Sequence, residues 1–209
     1  MKNILLCTAA IAGIVTAAGQ AQAQEGSDWL SKDRFQIRAR ALGVIPQEDS
    51  SVNIGGDVDV SNAITPELDL TYFITNNIAA EVIAGTAQHG LEYTGDTDLG
   101  TTWILPPTVT LQYHFTPDSA FSPYIGAGVN YSIFYGEEEG TGFTDLNVDN
   151  AWGFAAQAGF DYWLNDNWGL NLDVKKIWMD VDASLNNGAI QADVDLDPWL
   201  VGAGVSYRF

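Results

Sequence analysis

The chain has 209 residues, with 27 Asp and Glu against 8 Lys and Arg and a formal charge of −19 at pH 7. That length fits one domain with a substantial core, and so acidic a chain excludes nucleic acid as a partner, because the phosphates would be repelled. No segment after the leader reaches the ~20 consecutive apolar residues of a spanning helix, so any crossing of a membrane is made by strands.

Residues 1–23 read as a secretory leader: Lys2, an apolar run from Ile4 to Ala18, and the small-residue cleavage site Ala21-Gln22-Ala23. The only cysteine, Cys7, falls inside it, so residues 24–209 form one domain without disulfides. Trp29 to Arg34 is a short lead-in. Phe35, Ile37, Ala39 and Ala41 then alternate with Gln36, Arg38, Arg40 and Leu42, the period of a strand. A polar connection from Pro46 to Thr65 precedes a second strand, Glu67 to Ile74. The tight turn Thr75-Asn76-Asn77 leads into a third, Ile78 to Gly85. His89 to Thr101 is a second long connection. Strands four and five form a hairpin: Val109, Leu111, Tyr113 and Phe115 alternate with Thr108, Thr110, Gln112 and His114, and after a Pro/Asp/Ser turn Ile125 to Tyr135 alternate likewise. Gly136 to Asn150, with Glu137-Glu138-Glu139, is a third long connection. Strands six and seven flank the turn Asn165-Asp166-Asn167, and Asp180 to Asp197 is the fourth long connection. Strand eight runs from Trp199 to Phe209.

Each strand has one apolar face and one polar or small face. In the hairpin the polar face carries Thr, Gln, His and Asn, which suits a barrel whose outside touches lipid. Eight strands with connections alternating long and short predict an all-β, antiparallel, up-and-down transmembrane barrel with short periplasmic turns and long extracellular loops. Aromatic residues cluster near both strand ends, as at membrane interfaces. The lower set is Tyr72, Phe73, Tyr113, Phe115, Phe160, Tyr162, Trp163, Trp168, Tyr207 and Phe209; the upper set is Trp103, Tyr135, Trp152, Trp178 and Trp199.

Eight strands leave a lumen just wide enough for side chains. Taken by height, the inward faces place Arg38, Arg40, Glu81, Asp161, Asp173 and Arg208 in a charged lower plug, with Asp69 and Lys175 nearby, and Leu42, Ile83, Phe134 and Leu200 in a less polar upper part. Buried charges must be paired, so the plug is expected to be cross-linked. Leu105, Pro106 and Pro107 mark a different feature. Proline has no N–H to donate to a ladder, so two in a row are expected to open strand four near its upper end and offer apolar cargo a sideways exit into lipid. The plainer alternative is a bulge that starts the strand. His89 and His114 lie roughly 25 Å apart by strand rise and tilt, too far to share a metal, and no catalytic residue, metal site or cofactor is expected.

The order and spacing of Leu105-Pro106-Pro107 followed by LQYHF, PYIGAGVNY, AAQAGFDYWLNDNWGLNLDVKKIW and the closing GVSYRF resemble the OmpW family of outer-membrane proteins over essentially the whole mature chain. The resemblance implies an eight-stranded outer-membrane barrel with a narrow hydrophobic passage for small apolar molecules, surrounded by lipid and lipopolysaccharide. Gly204, Tyr207 and Phe209 resemble the terminal signal read by the barrel-assembly machinery. The run Glu137-Glu138-Glu139 is not part of the family pattern. Two other classes stand beside the passage: a lipid-modifying enzyme, for which no nucleophile is placed beside either histidine along its own strand, and a non-conducting structural or receptor barrel presenting acidic loops. Oligomeric state is not readable from these residues.

Overall fold

A computed structural model describes residues 31–209 apart from 95 and 96; the expected leader lies outside the described residues. A 3-10 turn at Lys32–Arg34 leads into β1 (Phe35–Ile45), followed by the short β2 (Asp49–Val52) and β3 (Val58–Val60). The chain then runs through β4 (Ala63–Phe73), β5 (Ile78–Gly85), β6 (Ala87–Tyr93), β7 (Thr97–Leu105), β8 (Thr108–His114) and the long β9 (Phe121–Glu139). It ends with β10 (Asn147–Val148), β11 (Ala151–Trp163), β12 (Trp168–Leu185), β13 (Ile190–Asp195) and β14 (Trp199–Arg208). Among the described residues, β1, β4, β5, β8, β9, β11, β12 and β14 pair antiparallel in sequence order, and β14 closes on β1 with Ala39 opposite Val205. Closure satisfies every stave on both sides, which a spanning sheet requires in a solvent without hydrogen-bond partners.

At membrane height the polarity is inside out. Val109, Leu111, Ile125 and Val129 are 48, 56, 52 and 47% exposed, while Thr110, Gln112 and Asn130 are at most 1% exposed. Outward Leu and Ile side chains gain about 1.5–3 kcal/mol each by leaving water for hydrocarbon. Trp152, Phe154, Tyr162 and Trp168 also face outward. Two residues expected in the lower aromatic girdle do not. Phe73 and Trp163 share the inward parity of Thr71 and Asp161, and they turn into the periplasmic end: Phe73 packs 4.9 Å from the His114 ring, and Trp163 lies under the Arg208 guanidinium at 4.2 Å.

Above the membrane the barrel wall continues and its polarity reverses. The long connections, expected as polar loops, fold largely into strand. β7 pairs with β9 and with β6, and β6 with β3; on the other side β13 joins β12 to β2, and β10 adds to β12. Here Val58, Leu91, Leu99, Val148, Val181 and Val194 point inward and are buried, while the acids between them point outward. The physical reason is the ordinary one for a wall in water: alternation puts apolar side chains on the enclosed face and charge on the wet face. The buried apolar cluster of the protein lies in this upper section.

The outer face of the β2–β13–β12 sheet stacks aspartates in register, Asp180 opposite Asp195 and Asp195 opposite Asp49, with Asp182 opposite Asp193. Like charges placed opposite destabilise a ladder. The hydrogen bond that a protonated Asp195 donates to the Asp180 side chain, then the negative charge of Asp180, raises the pKa of Asp195 from its ordinary value. A raised folded value means that this contribution is favourable at low pH and is lost as pH climbs through that value. Asp195→Asn is therefore expected to slow proteolysis of the β12–β13 hairpin at neutral pH and low salt. The advantage should shrink as pH falls into the carboxylate range; equal cleavage of both proteins at neutral pH would refute the strain.

Candidate functional site

The lower lumen is filled by one connected network. Alternation on β1 aims Arg38 and Arg40 inward at successive levels, and closure brings carboxylates to them from strands far away in sequence. Arg38 donates twice to Asp161, Nε at 3.1 Å and Nη2 at 2.9 Å, and its Nη1 reaches Thr71 at 2.8 Å, Glu81 at 3.1 Å and Asp69 at 3.3 Å. Arg40 donates from Nε to Glu67 at 2.7 Å and from Nη1 to Asn171 at 3.0 Å, and its Nη2 lies 2.7 Å from Asp69. Asp173 accepts from the Tyr124 hydroxyl at 2.9 Å and from Lys175 at 3.3 Å. Gln36 and Asn171 also donate to Asp161. The three cations and their five carboxylate partners are each at most 3% exposed. Charge-assisted, partly bidentate bonds of this kind fix side chains in one arrangement, and the network fills the lumen at this level with buried side chains.

Five of the six residues expected in the plug are in this network; Arg208 is not. It sits beside Gln36 at the periplasmic end, where Nε donates to the Asp166 carbonyl at 2.6 Å and the guanidinium covers Trp163. Glu67 belongs to the network although only its inward parity was visible in the sequence. The partners Tyr124, Asn171 and Gln36 were equally invisible as members, because alternation tells which way a residue points and not which one it meets.

Directly above lies an apolar chamber. Leu42, Ile83, Phe134 and Leu200 line it, together with Val58, Leu91, Ile104, Val148, Met179 and Val194, and Glu67 and Lys175 form part of its floor. The reversal of polarity between the two sections of the barrel creates this arrangement: hydrocarbon inside the upper wall, salt bridges inside the lower.

The chamber reaches the wall at Gly85, Thr86 and Pro106. There the ladder between the third and fourth staves is interrupted. It ends at Ile83 opposite Thr108 and resumes at Ala87 opposite Ile104. Neither proline has an N–H to offer. On the other side backbone pairing continues, since Tyr131 N donates to Pro107 O at 3.0 Å, and the Asn130 side-chain Nδ2 adds a bond to Pro106 O at 3.2 Å. The break is thus one-sided. It is bridged by side chains: the Thr86 hydroxyl donates to Ile104 O at 3.0 Å and meets the Tyr135 hydroxyl at 2.6 Å, so Tyr135 of β9 reaches across β7.

The histidines stand apart. His89 lines the chamber with Nδ1 2.7 Å from Ser61 O, while the His114 ring lies low between Phe73 and Tyr124 with Nε2 3.0 Å from the Gln112 oxygen. Among the described residues no cluster of three or more His, Cys, Asp or Glu is arranged to hold a metal. At the chain end, Tyr207 packs between Trp168 and Phe209 on the outer face. Gly204 has a packing reason of its own, because a Cβ there would fall 2.0 Å from the Ala39 carbonyl oxygen.

A closed eight-stave barrel with a lipid-facing belt, an ion-paired lower lumen and a short-turn periplasmic end is a bacterial outer-membrane β-barrel. The chain belongs to the OmpW family, whose profile matches residues 31–209. It is 44% identical to the uncharacterized outer-membrane protein y4mB of Sinorhizobium fredii, over 98% of this chain and 96% of that one. The crystal structure of the outer membrane protein OprG from Pseudomonas aeruginosa superposes with a TM-score of 0.80 at 32% identity, covering 84% of this chain and 95% of that one. A more distant relative is the dibenzothiophene metabolism operon protein PahQ of Pseudomonas aeruginosa, 29% identical over 74% of this chain and 76% of that one. The protein resides in the outer membrane of a Gram-negative bacterium.

Proposed function

We propose that the barrel is a passage for small hydrophobic molecules, which enter the upper chamber from outside and leave sideways into the membrane at the break beside Pro106 and Pro107. The observation that carries this reading is the combination of an apolar chamber, a floor sealed by salt bridges, and a wall whose ladder is interrupted where the chamber touches it. A solute in the chamber meets charge below and only side-chain bridges at the break. Delivery into the lipid also spares an apolar molecule the cost of entering periplasmic water. The name of PahQ, which places that relative with the metabolism of an apolar heterocycle, supports the same direction.

The test is uptake of a hydrophobic fluorescent tracer by proteoliposomes, with protein-free vesicles as the baseline and a panel of apolar and hydrophilic solutes. Faster entry of apolar solutes alone is expected; faster entry of hydrophilic ones would overturn the reading. The bridge across the break makes a second expectation. Tyr135→Phe removes one hydrogen bond, worth about 0.5–1.5 kcal/mol, so opening should become about 2- to 10-fold more frequent. Tracer uptake should rise accordingly. An unchanged rate would mean that the break is not the step that limits release.

A further inference from the structure

The distribution of charge along the passage says which hydrophobic molecules it takes. Among the described residues, 16 acids lie in the four upper segments 43–62, 86–104, 133–150 and 177–198, and those segments hold none of the chain's 8 Lys and Arg. The upper wall therefore surrounds the mouth of the chamber with net negative charge; of its acids Asp197 alone lies near a cation among the described residues, Lys176 at 4.0 Å. The floor has the same sign. The network below the chamber sets three cations against five carboxylates, all at most 3% exposed. Among the described residues, no cation there is left over for a ligand. Each nitrogen of the Arg38 and Arg40 guanidinium groups lies against a carboxylate or amide oxygen, and Lys175, the ammonium that reaches the chamber floor, is held by Asp173.

We propose that the passage selects by the sign of charge, taking neutral and cationic apolar molecules and rejecting those with a carboxylate, sulfate or sulfonate head. This rests on the reading of the barrel as a hydrophobic passage. Two parts of the molecule act on different steps. The acidic rim lies in water, so it lowers the local concentration of anions over a distance set by the Debye length, about 10 Å at 0.1 M salt and about 3 Å at 1 M. The floor lies out of reach of salt. There an anionic head finds no free cation and loses its hydration without replacement. A cationic head suffers the same loss of water but faces a surplus of carboxylates.

The experiment is calorimetric binding of three probes with the same eight-carbon body to the intact barrel in zwitterionic phosphatidylcholine nanodiscs, with empty discs subtracted. The probes are octan-1-ol, octane-1-sulfonate and octyltrimethylammonium; the last two keep their charge at every pH. Octanol is expected to bind. The sulfonate is expected to bind at least about tenfold more weakly than octanol and than the ammonium probe. High salt should narrow the gap without closing it. Combining Asp180→Asn, Asp182→Asn, Asp193→Asn and Asp195→Asn, all outward and exposed, should strengthen sulfonate binding at low salt and change little at high salt. If octanol does not bind, the passage reading fails and the selectivity with it. If octanol binds and the sulfonate and ammonium probes bind equally, the selectivity alone is overturned, because ions are then rejected for their hydration and not their sign. No gain from the four substitutions at low salt would overturn the role of the rim.

Discussion

Arg38→Met is expected to destabilise the barrel by about 3–5 kcal/mol, the cost of leaving buried charge without its partner. Arg38 is fully buried and holds three carboxylates, Asp69, Glu81 and Asp161, so its loss leaves Asp161 without a cation and Asp69 and Glu81 sharing Arg40. Neighbours share part of the load. Asp161 keeps its bonds from Gln36, Asn171 and Ser206, Asp69 keeps Arg40, and Glu81 keeps Thr110. Water entering from the periplasmic end is the other route of relief, and it would open the floor. Urea unfolding of the refolded protein in detergent micelles measures the first effect, and single-channel conductance in planar bilayers the second. Adding Asp161→Asn to Arg38→Met should recover part of the stability, because it removes one stranded charge. A loss below about 1 kcal/mol for the single variant would show the network to be ordinary lumen filling without a sealing role.

The second large effect is expected at the wall. Combining Pro106→Val with Pro107→Thr supplies one backbone N–H, that of residue 106, where the ladder between the third and fourth staves now stops, and one at residue 107 that faces β9. The one bond restored on that seam contributes about 0.5–1.5 kcal/mol, so closing the break should lower its opening about 2- to 10-fold. Apolar tracer uptake should fall by a similar factor, while octanol still binds in the chamber. Amide hydrogen exchange at residues 84–86 and 106–107 reports whether pairing was restored. Restored pairing with unchanged uptake would remove the lateral exit from the proposal and leave the chamber needing another route. Pairing that stays open despite the substitutions would mean that Gly85 and Thr86, not the prolines, hold the break apart.

Much of this site was legible residue by residue. The inward parity of Arg38, Arg40, Glu81, Asp161 and Asp173, and the height of Leu42, Ile83, Phe134 and Leu200, follow from strand period and chain direction. The upper wall was less so. Segments such as Asp57-Val58-Asp59-Val60 and Asp193-Val194-Asp195-Leu196 alternate cleanly, yet their density of acid reads as solvated loop. The alternation was the better guide, because a wall standing in water carries its charge outside. Arg208 was misplaced for a related reason. Its parity is inward, but near the strand end a long side chain is free to turn toward the rim, where Asp166 and Trp163 offer it partners.

By itself the sequence determined the strands, the face each residue takes and the inverted polarity at membrane height, because a period of two is a property of neighbouring residues. Tertiary structure alone decided the rest: that Arg38 meets Asp161 from 123 residues away, that the acidic connections stand up as a second wall, and that the ladder beside the prolines is interrupted toward the third stave while Pro107 O still accepts from β9. Those outcomes depend on the stagger at which the sheet closes, and closure relates strands whose sequences carry no record of each other's register.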